Sequence, residues 1–298
     1  MCTLNISLTS CRIKFLCNTS GSGKTRLLLE GLSRNWGFYL TARTQPEEVG
    51  SSDLENVLRD LEWRLEKITD KNLDTALKEN EKKVERRFRQ LLYARYVCFR
   101  VFLECAAAID GGITENHKIR WLLIQLAPVT LLKRPDIFLT LTQLVGTASS
   151  GYLGGATIEE SSTITQLLPQ PSTLFCVLDE AQVLTKNSGY FRSDTHPATD
   201  RPILRPIIHT WNTILPDLIV SGTGISMQEV ERVINSVVVK PGGPETVTEI
   251  GGFDDENDQR AYLEQYCPPG YLDKPLGKEI VSRVGYWLRG RFVSNSAV

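Results

Sequence analysis

The chain has 298 residues, 41% of them hydrophobic and 23% charged, with a formal net charge of −1. This suits a soluble globular protein of one large or two small domains; the balanced charge excludes a whole-chain field drawn to nucleic acid or anionic lipid, and no apolar run approaches the ~18–20 residues of a membrane span. The seven cysteines are scattered without a C-x-x-C pair and the three histidines lie far apart, which argues against a disulfide scaffold or zinc site and for reduced thiols in a cytoplasmic or nuclear setting.

Residues 11–17, CRIKFLC, mix β-branched and apolar types and predict a first strand. In the following KTRLLLEGLSRNWG, Leu27, Leu28 and Leu32 share one helical face, with Gly37 as the stop. GFYLTA, 37–42, predicts a second strand. From Ser52 to about Gly146 the helical period dominates. Leucines 54, 58, 61 and 65 repeat behind a cap at Ser52 or Asp53. A long helix over 72–109 carries the stripe Phe88, Leu91, Leu92, Phe99, Phe102, Leu103 and Ala106. Helical signal continues over 114–145, broken by Pro128 and Pro135. Residues 146–172, rich in Gly, Ser and Thr, predict a loop or mobile connector. Strands return at 173–178, TLFCVL, and 217–221, DLIVS, with a helical segment over 201–215 between them. A helix at 226–237, a strand near 246–251 and helices at 254–266 and 276–289 close the chain. Strands alternating with helices imply a mainly parallel sheet covered on both faces.

The first strand runs into LCNTSGSGKT, residues 16–25. Its Gly-Lys-Thr ends the phosphate-loop pattern G-x-x-x-x-G-K-[ST], with Asn18 in place of the first glycine. If that position needs positive φ, asparagine tolerates it at about 1 kcal/mol. Asn18, Thr19, Ser20, Gly21, Ser22, Gly23, Lys24 and Thr25 are the candidate nucleotide-binding residues. Their backbone N–H groups would face phosphate at a helix N-terminus, with Lys24 neutralising the β and γ oxygens. Such a loop works with Mg²⁺, held by Thr25 and by a carboxylate from another strand. LFCVLDEAQ, 174–182, supplies that carboxylate in Asp179 as a strand ends, and Glu180 beside it suits activation of a water. In DLIVSGTGIS, Ser221 is the candidate sensor hydroxyl for a γ-phosphate. Arg289 and Arg291 in YWLRGRF are candidate phosphate contacts from a C-terminal helix, with Arg192, Arg201 and Arg205 as weaker alternatives. The cluster KKVERRFR, 82–89, reads as the solvated face of a helix interleaved with glutamates, or secondarily as a nucleic-acid patch.

The stretches SGSGKTRLLLEGL, NWGFYLTAR, VCFRVFLECA, FCVLDEAQVLT, RPILRPIIHTWN, DLIVSGTGIS, TEIGGFDDENDQRAYLEQY and RVGYWLRGRF together resemble the P-loop ATPase region of Crinkler-type proteins. These are multidomain STAND and AAA-like proteins of fungi and oomycetes. The resemblance runs over about residues 11–291 and departs from the family at Asn18 and after Arg291. It implies an ASCE-type α/β P-loop NTPase with sheet order 5-1-4-3-2, a large helical insertion and a partial C-terminal helical lid. The expected division is a core over 1–50 and 173–252, an insertion plus connector over 51–172, and a lid over 253–298 that reads as truncated. The implied activity is Mg²⁺-dependent ATP hydrolysis as a conformational switch. The alternatives are a nucleotide-gated interaction module with little hydrolysis and a nucleic-acid-associated ATPase. ATP, a protein partner or self-association, and a cytoplasmic or nuclear location (with secretion to a host nucleus allowed) complete the expectation.

Overall fold

The strand–helix alternation becomes a five-stranded sheet in a computed structural model. It describes residues 13–18, 23–42, 49–186, 189–192, 200–215, 217–225, 229–230, 233, 245–247, 256–264 and 266–288. The strands are β1 (Ile13–Asn18), β2 (Trp36–Thr41), β3 (Leu174–Asp179), β4 (Leu218–Thr223) and β5 (Glu245–Val247). Every neighbouring pair is parallel, in the order β2-β3-β4-β1-β5, which from the β5 edge reads 5-1-4-3-2. In this order β4 lies between β1, which leads towards Gly23-Lys24-Thr25, and β3, which ends at Asp179. The carboxyl ends of all three therefore share one rim.

Both faces are covered because the strands are apolar on both sides. Helix α1 (Lys24–Arg34) packs Leu28 and Leu32 against Leu16, Tyr39, Phe175, Val177 and Ile219. The opposite face carries α2 (Asp53–Arg64), the 38-residue α3 (Leu73–Asp110) and α8 (Leu204–Asn212). Phe38 of β2 meets Tyr96 and Phe99 of α3 at ring-centroid separations of 4.9 and 5.8 Å.

Helix α4 (Glu115–Leu126) closes the free edge of β2. The Gln125 amide stands in for a missing strand: Oε1 accepts from Tyr39 N at 2.9 Å and Nε2 donates to Gly37 O at 3.1 Å. Trp121 Nε1 donates to the same carbonyl at 2.8 Å. An open edge would expose a row of unpaired backbone groups, and this one is paired with side chains instead. Gln125 Oε1 also accepts from Arg95, whose guanidinium makes a double contact with Asp53 at 2.6 and 2.8 Å. Arg95 and Asp53 are both fully buried.

Short helices α5 (Pro128–Leu132) and α6 (Ile137–Leu144) follow the two prolines. The loop expected over 146–172 is a correction: a 3-10 turn at Val145–Thr147 leads into α7 (Ser150–Leu167). Its hydroxyls do not compete with the helix but bond back into it, as Thr157 does to Leu153 O at 2.6 Å and Thr165 to Ser161 O at 2.8 Å. The buried stripe Leu153, Thr157 and Ile164, with small residues around it, lets α7 lie close against α3. Gly37 is a second correction: α1 stops at Arg34 and Gly37 lies inside β2. A Cβ there would stand 2.6 Å from Leu32 Cδ2 and closer still to the Phe175 carbonyl oxygen, so helix and neighbouring strand both require glycine. Helices α9 (Glu256–Glu264) and α10 (Pro275–Leu288) close the described chain. No helix among the described residues is long and apolar enough to cross a membrane.

Candidate nucleotide site

The site grows from the carboxyl ends of β1, β3 and β4. Asn18 is the last residue of β1, in register with Thr223 of β4, and it keeps extended backbone rather than positive φ. The expected left-handed strain at position 18 therefore does not arise. The turn into the helix falls on Gly23, which caps α1 at φ 85°. A side chain there would be strained, which explains a glycine directly before Lys24. Thr19, Ser20, Gly21 and Ser22 lie outside the described residues, as do Arg289 and Arg291.

Lys24 opens α1 and is buried, its Nζ donating to the Asn18 carbonyl at 2.9 Å. Burial pulls its ammonium below the usual lysine range, while Asp179, Glu180 and Cys17 pull it back up. A partly desolvated cation beside two acidic side chains, at a helix N-terminus, is suited to an anionic ligand that supplies more charge than water can. The neighbouring Cys17 thiol is pushed up by burial and stays protonated.

Thr25 Oγ1 donates to Asp179 Oδ2 at 2.8 Å, joining residues 154 positions apart in the sequence. The pleat explains the meeting. Val177 and Ile219 face α1, so Asp179 and Ser221, two residues further along their strands, face it too. Asp179 is buried, and its Oδ2 also accepts from Tyr39 Oη at 3.1 Å. Burial and the Asp179 charge push the Tyr39 phenol above its ordinary range. Tyr39 therefore remains a hydrogen donor at any physiological pH. Asp179 Oδ1 accepts from Glu180 N at 3.0 Å. Each Asp179 oxygen is thus fixed by a donor from a different part of the rim.

Glu180 sits at φ 55° and ψ 32°, a left-handed conformation uncommon for a residue with a side chain. It starts a 3-10 turn over Ala181–Thr185. Such strain costs of order 1–3 kcal/mol and collects at functional sites. Gln182 Nε2 donates to Glu180 Oε2 at 2.5 Å, and Gln182 Oε1 accepts from Thr223 N at 3.0 Å. Ser221 is fully buried one pleat below the rim, its hydroxyl unpartnered in the structure, while Thr223 stands at the strand end.

The structure thus brings Asn18, Gly23, Lys24, Thr25, Asp179 and Glu180 together, with Ser221 beneath them. Sequence reasoning missed Tyr39 and Gln182. Tyr39 lies in the apolar run GFYLTA, and its alternation with Thr41 on the face shared with Asp179 is the available signal. Of the three weaker arginine candidates, Arg192 is engaged with Asp70 at 3.0 Å and Arg205 with Glu81 at 3.6 Å, and Arg201 donates its backbone N–H to the Phe191 carbonyl at 2.9 Å. The cations of KKVERRFR are likewise paired within the chain. Lys82 binds Glu79 at 2.8 Å, Arg87 binds Asp60 at 3.0 Å and Arg89 binds Glu85 at 2.9 Å. Lys83 donates to Arg64 O at 2.9 Å, and Arg86 to Gly146 O at 3.1 Å. Among the described residues no His, Cys, Asp and Glu group has the form of a metal cluster. An oxygen pair such as Thr25 and Asp179 suits a hard cation shared with a ligand.

No protein-family model matches the chain, and no curated protein does. Among solved structures it is similar to a Walker-type ATPase of Pyrococcus abyssi, at 14% identity and a TM-score of 0.41. The likeness covers 95% of this chain and 60% of that one, so the chain spans about 60% of that neighbour's length. The functional reading rests on the chain's own residues.

Proposed function

We propose that the chain is a P-loop nucleoside triphosphatase that binds ATP with Mg²⁺ at the rim of β1, β3 and β4. The single observation that supports this most is the 2.8 Å contact between Thr25 and Asp179 beside the buried Lys24. Two hard oxygen donors 154 residues apart in the sequence converge where a helix N-terminus and a lysine can hold phosphate. Lys24 exchanges its bond to the Asn18 carbonyl for the β and γ oxygens. The Thr25 hydroxyl and Asp179 carboxylate are the residues that would hold Mg²⁺, which supplies charge neutralisation of the phosphates when bound. Glu180 accepts a proton from the attacking water, and Ser221 or the end of β4 senses the γ-phosphate.

The finer reading is an ASCE-type ATPase acting as a switch in a Crinkler-like protein. It draws on the quoted motifs and on the strand order, with 51–172 as a helical insertion on a core of 1–50 and 173–252, and 253–298 as a lid. The preference for ATP rests on the same motifs.

Titrating ATP with and without Mg²⁺ tests the site. Mg²⁺ should tighten binding to the wild type, and Thr25→Val should remove most of that gain while leaving metal-free binding in place. An equal Mg²⁺ effect in both proteins contradicts the assignment of Thr25.

A further inference from the structure

We infer that Gln182 is a positioning residue that ties Glu180 to the end of β4, so that the carboxylate is aimed at the γ-phosphate side of the site. The inference rests on the ATPase reading above. The direction of the Gln182 amide follows from its neighbours. Thr223 N can only donate, so the carbonyl oxygen of Gln182 must face it, at 3.0 Å. That leaves the NH₂ group for Glu180, whose Oε2 accepts at 2.5 Å. One side chain therefore links the tip of β4 to the carboxylate, and the link has a fixed polarity.

The fold makes room for this bridge at one position. A Cβ on Gly222 would stand 2.8 Å from Gln182 Oε1 and 2.9 Å from Gln182 N, so only glycine lets β4 approach the 3-10 turn this closely. The anchor is also well placed. Thr223 pairs in register with Asn18, whose carbonyl accepts from Lys24 Nζ at 2.9 Å. The lysine and the glutamate are thus tied to two residues on the same rung of the sheet. Gln182 occupies one oxygen of Glu180 and leaves Oε1 to take the proton of a water. It also holds in place a residue whose backbone is strained at φ 55°. A carboxylate freed from this bond samples other rotamers, and misplacement of about 1 Å costs on the order of 10²-fold in rate.

Two variants separate positioning from scaffolding. Gln182→Met keeps the volume but can neither accept from Thr223 N nor donate to Glu180. Gln182→Ala removes both bonds and the volume. ATP affinity by calorimetry, kcat by phosphate release and thermal midpoint are measured for each. The expected result for both variants is a kcat lowered about 10- to 100-fold, with ATP affinity near wild type and, for Gln182→Met, a midpoint near wild type. Unchanged kcat in either variant overturns the inference, as does a fall in kcat matched by an equal loss of ATP affinity. Wild-type protein that binds ATP without turnover overturns it while leaving the nucleotide site standing. Wild-type protein that binds no ATP overturns both.

Discussion

Glu180→Gln should lower the rate of phosphate release by about 10²–10⁴-fold, the usual share of a general base, while ATP binding stays near the wild-type value. The substitution is nearly isosteric. It preserves the left-handed start of the 3-10 turn and the bond from Glu180 N to Asp179, since both belong to the backbone. What it removes is the ability to take a proton. In the proposed site Lys24, Thr25 and Asp179 are the groups that hold nucleotide, and all three are unchanged, so the binding and chemical steps should separate cleanly. Single-turnover phosphate release beside a calorimetric titration checks this. A variant that turns over at more than about a tenth of the wild-type rate assigns the base elsewhere.

The second large effect is on stability. Arg95→Met should cost about 3–5 kcal/mol of unfolding free energy, because it leaves the Asp53 carboxylate buried without its cation. Both partners are fully buried and share two contacts at 2.6 and 2.8 Å. The loss extends beyond the pair. Arg95 also donates to Gln125, which seals the edge of β2 at Tyr39. Tyr39 in turn donates to Asp179. The helical segment is thereby connected to the rim at Asp179 through a chain of buried polar contacts, and a partly satisfied chain of this kind is costly. Urea denaturation monitored by circular dichroism measures the change. Replacing both partners with apolar residues of similar volume should recover much of the loss. A single-variant loss below about 1 kcal/mol contradicts this account.

The elements that carry their own local signal were legible in the sequence. CRIKFLC, KTRLLLEGL and LFCVLDE have clear apolar periods, and Lys24-Thr25 after one strand with Asp179-Glu180 at the end of another pointed to one shared rim. Three things were not legible. Helix α7 was masked by its glycines, serines and threonines, whose helical fate was decided by packing against α3 and by hydroxyl back-bonding at Thr157 and Thr165. The Asp53–Arg95 pair joins residues 42 apart, and nothing in either neighbourhood names the other. Gln182 carries no local signal, because its contact is with Thr223, which is 41 residues away. Local chemistry showed where the site begins, whereas side chains that act by bridging elements required the fold.

In the proposed site Lys24 and its loop hold a nucleoside triphosphate. Isothermal titration of ATP with Mg²⁺ into wild-type and Lys24→Ala protein tests it most directly. A hydrogen bond to a charged group is worth about 1.5–3 kcal/mol, so the variant should bind at least about tenfold more weakly. Wild-type protein should bind ATP at one site. Equal affinity in the two proteins, or no binding by the wild type, contradicts the claim.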